Sequence, residues 1–108
     1  MALGDIMGMM GKMKELQERM AQLQAELEAM EVTGIAGGGL VAVTLNAKGA
    51  LKKASIDPSL LKPEEKEIVE DLLAAAHADA RTKADRLVEE KMRELTGGLP
   101  LPPGLKLF

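Results

Sequence analysis

A chain of 108 residues with a formal net charge of −3 allows one domain and little more. It has no Cys, which excludes a disulfide framework or a thiolate site, and with one Phe and no Tyr or Trp its apolar content rests on Leu, Ala, Val, Ile and eight Met. The acidic balance counts against a nucleic-acid partner unless positive charge gathers on one surface. No apolar run approaches the roughly 20 residues that cross a bilayer.

The first element is a helix. Ile6, Met13, Met20 and Leu27 fall at position a of a seven-residue repeat, and Met9, Leu16, Leu23 and Met30 at position d. Gly4, Gly8 and Gly11 weaken its beginning. Firm helix is therefore expected from near Gly11, with residues 1–10 frayed and, lacking a basic start, unlike a secretory signal. So narrow an apolar seam needs another helix laid in it. In a domain this small, pairing with a second copy is a natural route to stability.

A β-rich middle follows. Glu31 to Ala36 can extend, Gly37-Gly38-Gly39 turns, and Leu40 to Leu45 alternates as a strand, with Val41, Val43 and Leu45 facing one way. Asn46-Ala47-Lys48-Gly49 is the next reversal, with Asn46 and Gly49 expected to tolerate positive φ. Ala50 to Ile56 forms a third strand, closed by Asp57-Pro58. The three make an antiparallel meander.

Pro63 opens the second long helix, at a position where a missing N–H does no harm. Val69, Leu72, Leu73, Ala76, Ala80, Ala84, Leu87 and Leu95 are its apolar side, and the alanines at spacing four permit close approach to a neighbour. Gly97-Gly98 stops it, and residues 97–108 are a Gly/Pro-rich tail. A helix from Pro63 to Leu95 spans about 50 Å, whereas a six-residue strand spans about 20 Å. The helices must overhang the sheet, and their apolar stripes are expected to cover each other as a projecting arm.

In its residues the chain resembles the YbaB/EbfC family of nucleoid-associated proteins. The likeness is carried by Glu31-Val32-Thr33-Gly34 with Gly37 to Asn46, by Ile56-Asp57-Pro58-Ser59-Leu60-Leu61, by Asp71 to Ala76 with Asp79-Ala80, and by Leu101-Pro102-Pro103-Gly104-Leu105-Lys106. Ala47 departs from the Gly common in the family's Asn-Gly turn, which bears on the turn type. The resemblance implies an α+β subunit of order α-β-β-β-α, a single domain over 1–108, and a tweezer-like homodimer that binds DNA in the bacterial cytoplasm and nucleoid.

Nothing in the sequence suggests catalysis, a cofactor, a metal or a small-molecule substrate. Gly37 to Gly39 precede a strand, whereas a phosphate cradle of that kind opens a helix. His77 has no second His or Cys to share a metal with. Carboxylate pairs such as Glu64-Glu65 and Glu89-Glu90 lie on helices that offer no cleft to split their pKa values.

The basic residues carry more information. In the first helix Lys12, Lys14 and Arg19 come early and Glu26 and Glu28 late, against the order the helix dipole favours. Phosphate contact and the setting of coiled-coil pairing both account for this. In the second helix Lys83, Arg86 and Arg93 share one side. Were the helices antiparallel, these six cations would meet at the arm tip and engage phosphates. Phe108 is the only aromatic, so base stacking is excluded as a main mode, and duplex binding with weak sequence preference is expected. The alternative is a Met-rich protein-interaction or chaperone-like module that binds no DNA.

Overall fold

Two long helices flank a three-stranded antiparallel sheet in the computed structural model, which describes residues 3–95. In chain order these are α1 (Leu3–Ala29), β1 (Glu31–Ala36), β2 (Val41–Asn46), β3 (Leu51–Ile56) and α2 (Lys66–Leu95). The strands pair in sequence order, as a meander must. The chain measures 74 × 23 × 16 Å.

Alternation along β2 decides which face is covered. Val41, Val43 and Leu45 are buried, and their partners across the ladder are Ala36, Gly34 and Val32 of β1. Ala76 and Ala80 of α2, both fully buried, lie on this face and complete the main core with Leu60. Each fully buried Val or Leu contributes about 1.5–3 kcal/mol. Helix and sheet approach so closely at Gly34 that a Cβ there would run into the Ala76 carbonyl and the Ala80 amide. The small residues at spacing four thus serve the contact between α2 and the sheet.

The outer edge of β1 is occupied by α2. The Asp79 carboxylate accepts from the Ile35 N–H at 3.0 Å, and the Lys83 ammonium donates to the Thr33 carbonyl at 2.9 Å. An open edge presents unpaired backbone groups to other chains. Here two of them are satisfied by side chains one helical turn apart.

Both turns hold their strands by local chemistry. Gly37, Gly38 and Gly39 all have positive φ and form a 3-10 turn. In the second turn only Gly49 is left-handed, and Asn46 is not, contrary to the sequence expectation. Asn46 acts through its side chain instead: its Oδ1 accepts from the N–H groups of Lys48 and Ala50 at 3.0 and 2.9 Å. Ala47 needs no left-handed backbone either. It is buried, and its N–H donates to the carbonyls of Leu27 and Met30 at the end of α1. Further on, Asp57 accepts from Ser59, and Pro63 opens a 3-10 turn that leads into α2 at Lys66.

A second, smaller core joins α1 to the rest. Leu23, Leu27, Ala47 and Met92 are buried together, flanked by Met30, Leu87, Val88 and Leu95. The two helices run antiparallel here, but they meet only near their C-terminal ends. The expected arm is therefore half built. Beyond Leu23 the earlier turns of α1 project without α2 beside them, and Ile6, Met9, Met13 and Leu16 are exposed. The helix also begins at Leu3, well before Gly11, with nothing within 4 Å of the Cβ positions of Gly4, Gly8 or Gly11. Propensity is a weak prior, and one glycine per turn leaves the ladder intact. The tail expected over 97–108 and its stop at Gly97-Gly98 lie outside the described residues.

Candidate nucleic-acid interface

The cations expected at one arm tip are instead strung along the molecule. Lys83 sits at the level of the sheet, bonded to Thr33 and paired with Asp79 at 3.1 Å. Arg86 lies one turn further along α2, within electrostatic reach of Asp79. Arg93 is near the described end of the helix and exposed. Between Lys83 and Arg93 the helix rises about 15 Å. On α1, Arg19 lies beside the last turn of α2 and pairs with Glu15 at 2.9 Å. Lys12 and Lys14 stand further out, on the part of α1 that α2 does not reach, and make no ion pair among the described residues. Two residues apart on a helix, they point to different sides.

The reason is register. α2 spends its first turns on the sheet, so only residues near 87–95 remain to meet α1. Lys83 therefore belongs to the sheet, and Lys12 and Lys14 have no basic counterpart opposite them among the described residues.

Some of the acids pair with neighbouring cations. Glu28 pairs with Lys48 at 3.4 Å, Glu26 with Lys91 at 3.9 Å, and Asp85 with Arg81 at 3.8 Å. These are exposed pairs, each contributing on the order of 0–1 kcal/mol to stability. Each pair is neutral overall and removes a cation from the field together with the acid. The Ile35 N–H, and then the Lys83 ammonium, hold the Asp79 carboxyl below its ordinary pKa. Hydrogen bonds from the Ser59 hydroxyl and amide lower Asp57 in the same way.

A cleft of about 230 Å³ lies where α1 and α2 diverge, between Arg19, Leu23 and Glu26 on one side and Lys91, Glu94 and Leu95 on the other. It contains no nucleophile paired with a base. Among the described residues no three His, Asp or Glu side chains converge as a metal site, and no helix is long and apolar enough to cross a membrane. Lys52 and Lys53, exposed on β3, are further cations that the sequence reading left aside. Their signal was the lysine pair itself, on an edge strand.

Comparison with known proteins bears on what such a surface is for. Residues 1–99 match the model of a family described as the YbaB/EbfC DNA-binding family. Over 103 residues the chain is 57% identical to a nucleoid-associated protein of Rhizobium meliloti and 58% identical to one of Agrobacterium fabrum. Each alignment covers 95% of this chain and 96% of the relative. The crystal structure of an uncharacterized protein from Helicobacter pylori superposes with a TM-score of 0.73 at 26% identity, covering 90% of this chain and 99% of that one.

Proposed function

This chain belongs to the YbaB/EbfC DNA-binding family, and on that premise we propose that it binds duplex DNA in the nucleoid as a homodimer. Contacts are mainly to phosphates, with weak sequence preference. The residues that engage the backbone are Lys12, Lys14, Arg19, Lys83, Arg86 and Arg93.

The observation that carries this reading, beside family membership, is the spread of cations along helices that overhang the sheet. Cations at several levels can meet successive phosphates of a long anionic partner, although acids outnumber bases on both helices. Phosphate neutralisation releases counterions, and the resulting affinity does not depend on sequence. Lys12 and Lys14 matter most, because neither is held in an ion pair among the described residues, although Glu15 and Glu18 stand at neighbouring helical positions. Arg19 and Lys83 contribute less, each being shared with a carboxylate.

Dimerisation is supported by what a single subunit leaves bare. Five of the six residues of β3 are exposed, Leu51 at 62% among them. With the β1 edge held by Asp79 and Lys83, the β3 side of the sheet is the surface available for a second copy. Two copies joined there carry two projecting α1 helices.

The test is fluorescence anisotropy on a short duplex with the double variant Lys12→Gln/Lys14→Gln. Affinity falls uniformly across unrelated sequences, while sedimentation shows an unchanged dimer. Undiminished affinity in that variant refutes the assignment of these lysines.

One observation favours a second reading, that of a protein-interaction module: Met9 and Met13 are 63% and 61% exposed in the subunit. That reading requires both to remain open to solvent in the assembled dimer and duplex binding to be lacking.

A further inference from the structure

The apolar seam of α1 is covered at one end and bare at the other. Leu27 and Leu23 are buried with Met92 of α2, and Met20 is half-buried. The same a and d positions continue outward as Leu16, Met13, Met9 and Ile6, all exposed, and Met10 beside them is exposed too. A row of bare apolar side chains on one helix face marks a contact surface.

We infer that this stripe docks on the same stripe of a second copy, with the two α1 helices antiparallel. Ile6 then stands level with the partner's Leu16, and Met9 with the partner's Met13. The contact is distinct from the β3 pairing proposed above and does not depend on DNA.

Flanking charge selects this register. In an antiparallel helix pair the g positions beside the seam face each other, and so do the e positions. On α1 the g positions are Asp5, Lys12, Arg19 and Glu26, and Met10 is an e position. With Ile6 level with Leu16, Asp5 faces Arg19 at both ends of the contact, Met10 faces Met10, and Lys12 faces Lys12 at the centre. Two attractive pairs outweigh one repulsive pair. Arg19 already meets Glu15 of its own helix at 2.9 Å, and its five donors can serve both carboxylates. One heptad deeper, Asp5 would face Glu26 and Lys12 would face Arg19, so every flanking pair would repel. Ile6 would also reach the level of Leu23, where Met92 and Leu95 already pack. One heptad further out, Met13 and Leu16 would stay bare. A single register covers the whole exposed stripe and stops short of α2.

Direction follows from bulk as well. Packed helices lie about 8–10 Å apart, whereas the chain is 23 × 16 Å across. A parallel pair would crowd two sheets at one end, and an antiparallel pair sets them at opposite ends. The contact is small, since three turns of one helix face bury well under the roughly 800 Å² per partner of a standard interface. It is therefore weak alone and forms where copies are concentrated. Combined with the β3 pairing, on which this consequence alone rests, a second isologous contact links dimers in a row.

The chain has no cysteine, so introduced thiols report the geometry. Full-length Ile6→Cys, Leu16→Cys, Met10→Cys and Met7→Cys change only exposed positions. Each variant, and an equal mixture of the first two, is treated with a short bis-maleimide at high protein concentration without DNA. Linked pairs are counted on a denaturing gel. Met7 lies off the seam, so Met7→Cys sets the level of random collision. Met10→Cys links to itself several-fold above that level. Ile6→Cys links to Leu16→Cys in the mixture, and neither links when alone. Adding Asp5→Arg to Met10→Cys lowers the yield several-fold, and adding Arg19→Asp as well restores it. Efficient self-linking of Ile6→Cys and of Leu16→Cys overturns the inference in favour of a parallel pair. Yields no higher than that of Met7→Cys at every position overturn it outright, leaving the stripe to solvent or to another occupant. A charge reversal without effect, or without rescue, refutes the register.

Discussion

Replacing Gly34 with alanine tests the packing on which the whole arrangement depends. The added Cβ would collide with the Ala76 carbonyl and the Ala80 amide and stand 2.8 Å from the Ala80 Cα. All three are backbone atoms, so no rotamer change relieves the clash, and α2 must move off the sheet. Overpacking a core costs about 1–3 kcal/mol where side chains can adjust. A displaced helix lies at the upper end, about 3 kcal/mol. Alanine recovers about 0.5–1 kcal/mol as the better strand residue. The net loss is on the order of 2 kcal/mol. With a slope of about 1–2 kcal/mol per molar urea, the midpoint falls by roughly 1–2 M. Circular dichroism through a urea titration measures it, at one fixed protein concentration so that any self-association enters both titrations alike. Gly38→Ala is the control: nothing lies within 4 Å of its Cβ, and its φ of +68° exposes only the left-handed penalty of about 1–2 kcal/mol. A Gly34→Ala protein as stable as the native one would refute the close approach.

Three further outcomes follow from the same geometry. Asn46→Ala strips the buried acceptor from the Lys48 and Ala50 amides, and urea titration is expected to register a loss of about 1–3 kcal/mol. Leu27→Ala, at a side chain with no exposure, costs about 2–5 kcal/mol by the same measurement. It also loosens the root of α1, seen as faster amide exchange near Leu23. Asp79 has its pKa lowered in the folded state, so its contribution is present above the ordinary carboxylate range and is lost as pH falls through its own lower pKa. Substituting Asn for Asp79 should flatten that acid limb of the stability curve, and an unaltered limb would show that the carboxylate does not hold β1.

Periodicity made most of the fold legible. The alternation at Val41, Val43 and Leu45 and the heptads of α1 fixed strand face and helix seam, because burial has the same period as the backbone. What stayed hidden was the register between elements. Nothing in the spacing of Lys83 says that α2 will spend it on Thr33, although Asp79 four residues earlier offered it a partner. The cations were therefore assembled at a tip that the sheet does not permit. Asn46 was placed correctly as a turn residue but for the wrong reason: its side chain, not its backbone, closes the loop. The onset of α1 at Leu3 is not legible in helix propensity, because three glycines oppose a seam that runs back to Ile6.

The central claim, that cations along the helices neutralise the phosphates of a duplex, is tested most directly by the salt dependence of binding. Association of the native protein with a duplex of arbitrary sequence should weaken linearly in log K against log[salt], with a slope of about −0.9 for each phosphate engaged. A steep slope that becomes shallower by about two when Lys12 and Lys14 are neutralised is the expected result. Binding that ignores salt, or no binding at all to duplex DNA, would contradict it.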